Sequence, residues 1–142
     1  MNKTDFHYTH TFRVRYSEVD AQGIVFNAHY LTYFDCAITE YYRELNYNYA
    51  LEVKRHNKDF HVIKTIIEYK KTISFDQLVD ACIKTSKIGF SSITFDIALF
   101  EHKKKILLAL GTIIQVYTDQ TTMKSSQLPK MFIKKIKKFE NI

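Results

Sequence analysis

From Asn27 to Leu45 the chain carries Tyr30, Phe34, Ala37, Tyr41 and Leu45 at helical spacing, and Leu31, Ile38 and Tyr42 widen that stripe. This spacing predicts a helix over about residues 28–45. Its surface is apolar around most of the circumference, and a helix of that kind belongs inside something. The rest of the chain must therefore supply a surface that wraps it. Asn27 reads as the N-cap, whose side chain can satisfy an orphan N–H of the first turn.

The remaining apolar residues follow a period of two. Thr9 to Tyr16 alternates, with Phe12, Val14 and Tyr16 on one parity. Ile63, Thr65, Ile67 and Tyr69 share a face, as do Val79, Ala81, Ile83 and Thr85. Ile93, Phe95, Ile97 and Leu99 alternate with Ser92, Thr94 and Asp96, whereas Ile106 to Tyr117 is apolar on both parities, as in a central strand. The connections T-I-S-F-D-Q, K-I-G-F and E-H-K-K-K are short and hairpin-like. These segments predict an α+β fold in which the long helix packs on one antiparallel sheet of about five strands. Residues 48–56 read as a short second helix, and 130–139 as a final helix or strand. No linker or repeat divides residues 1–142, so we expect one domain.

Composition narrows the function classes. The 10 Tyr and 11 Phe exclude a disordered chain. They fall at strand and helix periods, so they read as core rather than as stacking platforms for bases. The formal charge of +6 is local: Lys124, Lys130, Lys134, Lys135, Lys137 and Lys138 lie in residues 120–139 without an acid, and the remainder carries 15 basic against 15 acidic residues. That run reads either as a patch for phosphates or an acidic carrier protein, or as a solvated tail. We expect no nucleic-acid partner. No apolar run is long enough to span a membrane, and Met1 to Phe12 lacks a secretory h-region, so a cytoplasmic protein is expected. Cys36 and Cys82 then read as reduced and buried. None of the six histidines shows the i, i+4 helix pairing with an acid expected of a hydrolytic zinc site, so no metal is expected, and neither G-x-S-x-G nor a P-loop occurs.

One segment stands apart, R-Y-S-E-V-D-A-Q-G-I-V-F-N-A-H-Y, residues 15–30. The chain has only 3 Gly, and Gly23 follows Asp20 by three residues. A glycine there permits a sharp turn and lets backbone approach a ligand without a Cβ in the way. The helix start at Asn27 and Ala28 follows, with free N–H groups and a partial positive charge. Asp20 therefore reads either as a loop aspartate making an Asx-turn or as a carboxylate held beside a set of hydrogen-bond donors. Glu18 reads as solvated.

The spaced pattern Tyr16, Asp20, Gly23, Val25, Tyr30 and Phe34 resembles the signature of the 4-hydroxybenzoyl-CoA thioesterase family, in particular its YbgC-like branch. The resemblance continues through F-H-V-I-K-T-I-I-E-Y and S-K-I-G-F-S-S-I-T-F, over about residues 9–132. It implies the hotdog fold, a curved antiparallel sheet around the long helix, and hydrolysis of an acyl-CoA substrate to acid and CoA, with no separate cofactor. By resemblance Asp20 is the catalytic carboxylate, acting as nucleophile or general base. The N–H of Asn27 or Ala28 polarises the carbonyl, and Tyr16 stands near the site. Gly23, Val25, Ala28, Tyr30, Asp35 and His61 are the substrate-binding candidates, with Asp35 beside the acyl pocket. Lys84 and Lys87, with the Lys103–Lys105 turn, are candidates for the CoA nucleotide. The family also implies a homo-oligomer, a dimer or tetramer with sites between subunits. The chain departs from the family at Asn27, where the YbgC-like branch has His, at Ile38, often Arg, and at Thr72, usually Pro. His29 is the available replacement for the missing ring.

Overall fold

A computed structural model describes residues 1–142. Five strands form one antiparallel sheet: β1 (Tyr8–Arg13), β2 (Lys58–Tyr69), β3 (Leu78–Ile88), β4 (Ser92–Glu101) and β5 (Leu107–Asp119). Their order across the sheet is β1-β3-β4-β5-β2. The first helix, α1 (His29–Glu44), follows β1, a shorter α2 (Tyr49–His56) leads into β2, and α3 (Lys130–Glu140) closes the chain. The expected α+β class and the expected helix are both present.

The sheet core is the alternation read from sequence. Ile93, Phe95, Ile97 and Leu99 of β4 are fully buried, as are Val79, Ala81 and Ile83 of β3. Against them α1 presents Tyr30, Tyr33, Phe34, Ala37, Ile38, Tyr41 and Tyr42, all buried. Phe34 lies over Gly111 of β5 so closely that a Cβ there would sit 2.7 Å from the Phe34 ring. The missing side chain is what lets the helix settle onto the sheet.

The helix is not enclosed all round. Leu31, Thr32, Asp35, Cys36 and Thr39 face outward, with Leu31 47% exposed. Cys36 is therefore exposed, contrary to expectation, while Cys82 is buried. The C-terminal segment is not a solvated tail either. Phe132 and Ile136 of α3 are fully buried and complete the core beside Tyr42, Tyr47 and Phe60. Glu140, also buried, accepts from the Tyr41 hydroxyl at 2.6 Å and the Thr85 N–H at 3.0 Å, which fixes the end of α3 to α1 and β3. The lysines of α3 occupy its other side, with Lys130, Lys134, Lys137 and Lys138 exposed.

Both sheet edges are unpaired. On β2 the face shared by Ile63, Thr65, Ile67 and Tyr69 is interrupted by a register shift between Val62 and Lys64. Along this strand Val62, Ile63, Ile66 and Tyr69 are 47–63% exposed. No helix is long and apolar enough to cross a membrane.

Candidate active site

β1 ends at Arg13, before the expected Tyr16, because the chain turns there. A short 3-10 turn over Tyr16–Glu18 follows, and residues 18–26 then fold back as a small hairpin. Asp20 N–H donates to the Ile24 carbonyl at 2.9 Å, Gly23 N–H to the Asp20 carbonyl at 3.0 Å, and Phe26 N–H to the Glu18 carbonyl at 3.0 Å. Gly23 closes the turn at φ +79°, and nothing lies within 4 Å of where its Cβ would be. A side chain would be strained there by the backbone conformation rather than by crowding. The hairpin is stitched to the chain after β2, with Val25 N–H donating to the Ile73 carbonyl at 2.8 Å and Phe75 N–H to the Gly23 carbonyl at 3.0 Å.

Asp20 sits exposed at the hairpin tip. Its Oδ1 accepts from the Gln22 N–H at 2.8 Å, the Asx-turn, and its Oδ2 accepts no protein hydrogen bond. The Asx-turn is thus present, and it engages one carboxylate oxygen while the other is without a protein partner. The cap of α1 is Ala28 rather than Asn27, and no side chain caps it. The first turn is held by His29 N–H to the Phe26 carbonyl and Tyr30 N–H to the Asn27 carbonyl, at 3.0 and 3.3 Å. The N–H groups of Asn27 and Ala28 donate to no protein acceptor. Two residues, Val25 and Phe26, separate Asn27 from Ile24, the residue across from Asp20, a span of at most about 10 Å. A carbonyl hydrogen-bonded at Asn27 and approached by the Asp20 carboxylate, each contact about 3 Å, fits that span.

Glu18 is the correction with the most consequence. It is buried, not solvated. Its carboxylate accepts from Arg15 N–H at 2.8 Å, Arg15 Nε at 2.9 Å and the Tyr33 hydroxyl at 2.9 Å. Burial pushes this carboxyl up, and the hydrogen bonds from Arg15 and Tyr33 more than offset it, so its pKa lies below the ordinary value. The Tyr33 hydroxyl is raised by burial and by the same bond. Glu18 thereby ties the hairpin to α1. Gln at this position would turn an amide NH2 toward the Arg15 donors. Glu18→Gln is expected to cost about 1–3 kcal/mol at neutral pH. A carboxyl with a lowered native pKa stabilises above its unfolded value, about 4.3, and loses that contribution as pH falls through the native value. Urea unfolding of wild type and variant should therefore differ at pH 7 and converge in acid.

Beside the hairpin lies a cleft of about 300 Å³ lined by Ile24, Val25, Asn27, Tyr30, Tyr69, Lys70, Lys71 and Thr72. Tyr30 in this lining packs edge-on against Tyr69 at 4.9 Å, and burial raises its hydroxyl pKa. Four larger clefts, about 310 to 500 Å³, are lined by neither Asp20 nor Asn27; those of about 500 and 310 Å³ run along the second half of α1. We place the candidate site at the smaller cleft because its lining runs from Ile24 and Val25 of the hairpin to Asn27 at the helix start.

Of the candidates read from sequence, Val25, Asn27 and Tyr30 line this cleft, and Asp20, Gly23 and Ala28 lie on the turn and helix start that flank those residues in the chain. Tyr16 flanks the turn but is 82% exposed, edge-on to Phe75, rather than a buried strand residue. Asp35 lines the 310 Å³ cleft instead, with its pKa raised by burial. His61 lies near the start of β2, hydrogen-bonded to the Gln120 side chain, eight residues along the strand from Tyr69. Lys84 and Lys87 lie six and nine residues along β3 from Leu78, about 20–30 Å from the end that meets the hairpin. Lys84 there covers the Phe6 ring at 5.3 Å. No group of three or more His, Cys, Asp or Glu is arranged to hold a metal ion. Tyr69, Lys70 and Lys71 were not singled out from sequence. They reach the site through the hydrogen bonds that tie residues 23–25 to 73–75, a contact with no local signal in the sequence.

The sequence profile described as the thioesterase superfamily matches residues 22–106. The acyl-CoA thioesterase YbgC of Haemophilus influenzae is 31% identical over 119 residues, which is 83% of this chain and 85% of that protein. The acyl-CoA thioester hydrolase YbgC of Escherichia coli O6:H1 is 28% identical over 96% of this chain and 99% of its own length. Among solved structures, a 1,4-dihydroxy-2-naphthoyl-CoA thioesterase from Synechocystis superposes with a TM-score of 0.85 at 13% identity, covering 91% of this chain and 94% of that one. A Staphylococcus aureus protein solved in complex with CoA gives 0.85 at 15% identity, over 94% and 84%. The sheet wrapped on α1 is thus the hotdog fold, and with the profile spanning more than half its length, the chain belongs to the thioesterase superfamily.

Proposed function

We propose that the chain is an acyl-CoA thioesterase, which hydrolyses an acyl-CoA to a carboxylic acid and free CoA. The observation that carries the mechanism is the pairing of an Asp20 oxygen that accepts no protein hydrogen bond with two unpartnered N–H groups at the start of α1. The thioester oxygen accepts from Asn27 or Ala28, which stabilises the negative charge that develops there. Asp20 then acts in one of two ways. It attacks the carbonyl carbon, expels the CoA thiolate and leaves a mixed anhydride for water to open, or it takes a proton from a water that attacks instead. Asn27 supplies backbone here, and its side chain stands where the YbgC-like branch has a ring. Release of thiol from short, long and aromatic acyl-CoAs tests the assignment and finds the preferred acyl group. A flat zero across that panel would overturn it.

The unpaired β2 edge, with Val62, Ile63, Ile66 and Tyr69 exposed, supports a homo-oligomer built by edge pairing. Two copies joined antiparallel through β2 would set the start of the partner's strand, where His61 lies, beside Tyr69 and the cleft. A tetramer would pair two such dimers. Ile66→Lys is expected to shift the species seen by light scattering toward monomer and to lower activity with it.

The lysines on the outer side of α3 support acyl carrier protein as a second thioester source, since such carriers are acidic. Truncating α3 would remove Phe132 and Ile136 from the core. The test is therefore Lys134→Gln with Lys137→Gln and Lys138→Gln, which should impair carrier substrates more than acyl-CoA.

A further inference from the structure

Lys70 and Lys71 line the 300 Å³ cleft together with Asn27 and Tyr30. Their backbone is fixed, because both N–H groups donate to the Leu108 carbonyl, at 2.9 and 3.1 Å. Their ammonium groups are differently placed. Lys71 Nζ is engaged by Glu101 at 2.9 Å. Lys70 meets only Glu68, at 3.8 Å, and both of those side chains are about half exposed. An ion pair at that distance and exposure is weak. Lys70 is therefore a cation free to take another anion, beside a cleft that already offers hydrogen-bond donors at Asn27. On the Asn27 side no acidic residue lines the cleft to neutralise it.

Resting on the thioesterase reading, we propose that Lys70 binds an anionic group of the substrate while the thioester carbonyl sits at Asn27. Two parts of an acyl-CoA can supply that anion: a phosphate of CoA, or a carboxylate carried on the acyl group. The chemistry of the contact is the same for both, an ammonium on an oxyanion.

Steady-state kinetics at low salt with Lys70→Gln and Lys70→Glu tests the proposal, with Lys54→Gln, exposed on α2, as the control for net charge. Lys70→Gln should raise KM about three- to ten-fold, Lys70→Glu should raise it further, and the gap to wild type should narrow in high salt. If the increase disappears on the matching acyl-pantetheine, the anion is a CoA phosphate. If it appears only with a carboxyl-terminated acyl group and not with a neutral one of equal length, the anion is the acyl carboxylate. Calorimetric binding of non-hydrolysable thioether analogues of the same compounds gives the Lys70 effect independently of turnover, so an inactive wild type would sink the thioesterase reading without removing this test. Lys70 variants that match wild type in both KM and analogue affinity, on every substrate, would overturn the proposal.

Discussion

Asp20→Asn is expected to lower the rate of thiol release by about 10³-fold, within the 10²–10⁴ range for loss of a positioned acid–base group, while leaving the fold and the affinity for a non-hydrolysable acyl-CoA analogue close to wild type. The substitution is chosen from the geometry. Asn retains an oxygen that can accept from Gln22 N–H, the bond that organises the turn. It lacks the negative charge needed to attack a carbonyl or to take a proton from water. Asp20→Ala would remove the turn bond as well and confuse a chemical loss with a structural one. A fall in affinity with an unaltered maximal rate would instead make Asp20 a binding residue. The helix start would then carry whatever catalysis remained.

The largest stability effect is expected where α1 meets the sheet. Phe34 is fully buried, and its ring fills the space that Gly111 leaves open. Phe34→Ala removes the ring and leaves a cavity, at a cost of about 3–5 kcal/mol. Gly111→Ala acts from the other side, driving a methyl into the ring, and should cost about 1–3 kcal/mol because the ring is hemmed in by core. The two should not add. In the double variant the new methyl partly fills the cavity, so its loss should fall short of the sum by a measurable coupling energy. Urea unfolding of the four proteins gives that energy directly. Simple additivity would mean that α1 does not rest on Gly111 in solution.

This contact also shows how far sequence alone reaches. The helical stripe from Tyr30 to Leu45 and the alternation from Ile93 to Leu99 are local periodicities, and both elements stand where the periods put them. The Asp20–Gly23–Asn27 spacing was legible for the same reason, since a turn and a helix start are specified within a dozen residues. What failed depended on distant partners. Glu18 looked solvated because Tyr33, which receives it, lies fifteen residues on. The lysine-rich end looked like a tail because its few apolar residues, Phe132 and Ile136, gain meaning only against Tyr42 and Phe60. Tyr16 shares the parity of Phe12 and Val14, but the strand had already ended. Lys70 and Lys71 join the site only through the hydrogen bonds that tie residues 23–25 to 73–75. The outward face of α1 and the bare β2 edge follow from how one copy is built.

The central claim, that this hotdog chain breaks a thioester at the Asp20 turn rather than merely holding an acyl-CoA, is tested most directly by following purified wild-type protein with an acyl-CoA and measuring thiol and carboxylic acid together. The account predicts saturable turnover that yields one thiol and one acid for each thioester consumed. Tight acyl-CoA binding with no thiol released at any pH would contradict it and would leave the chain a binding module.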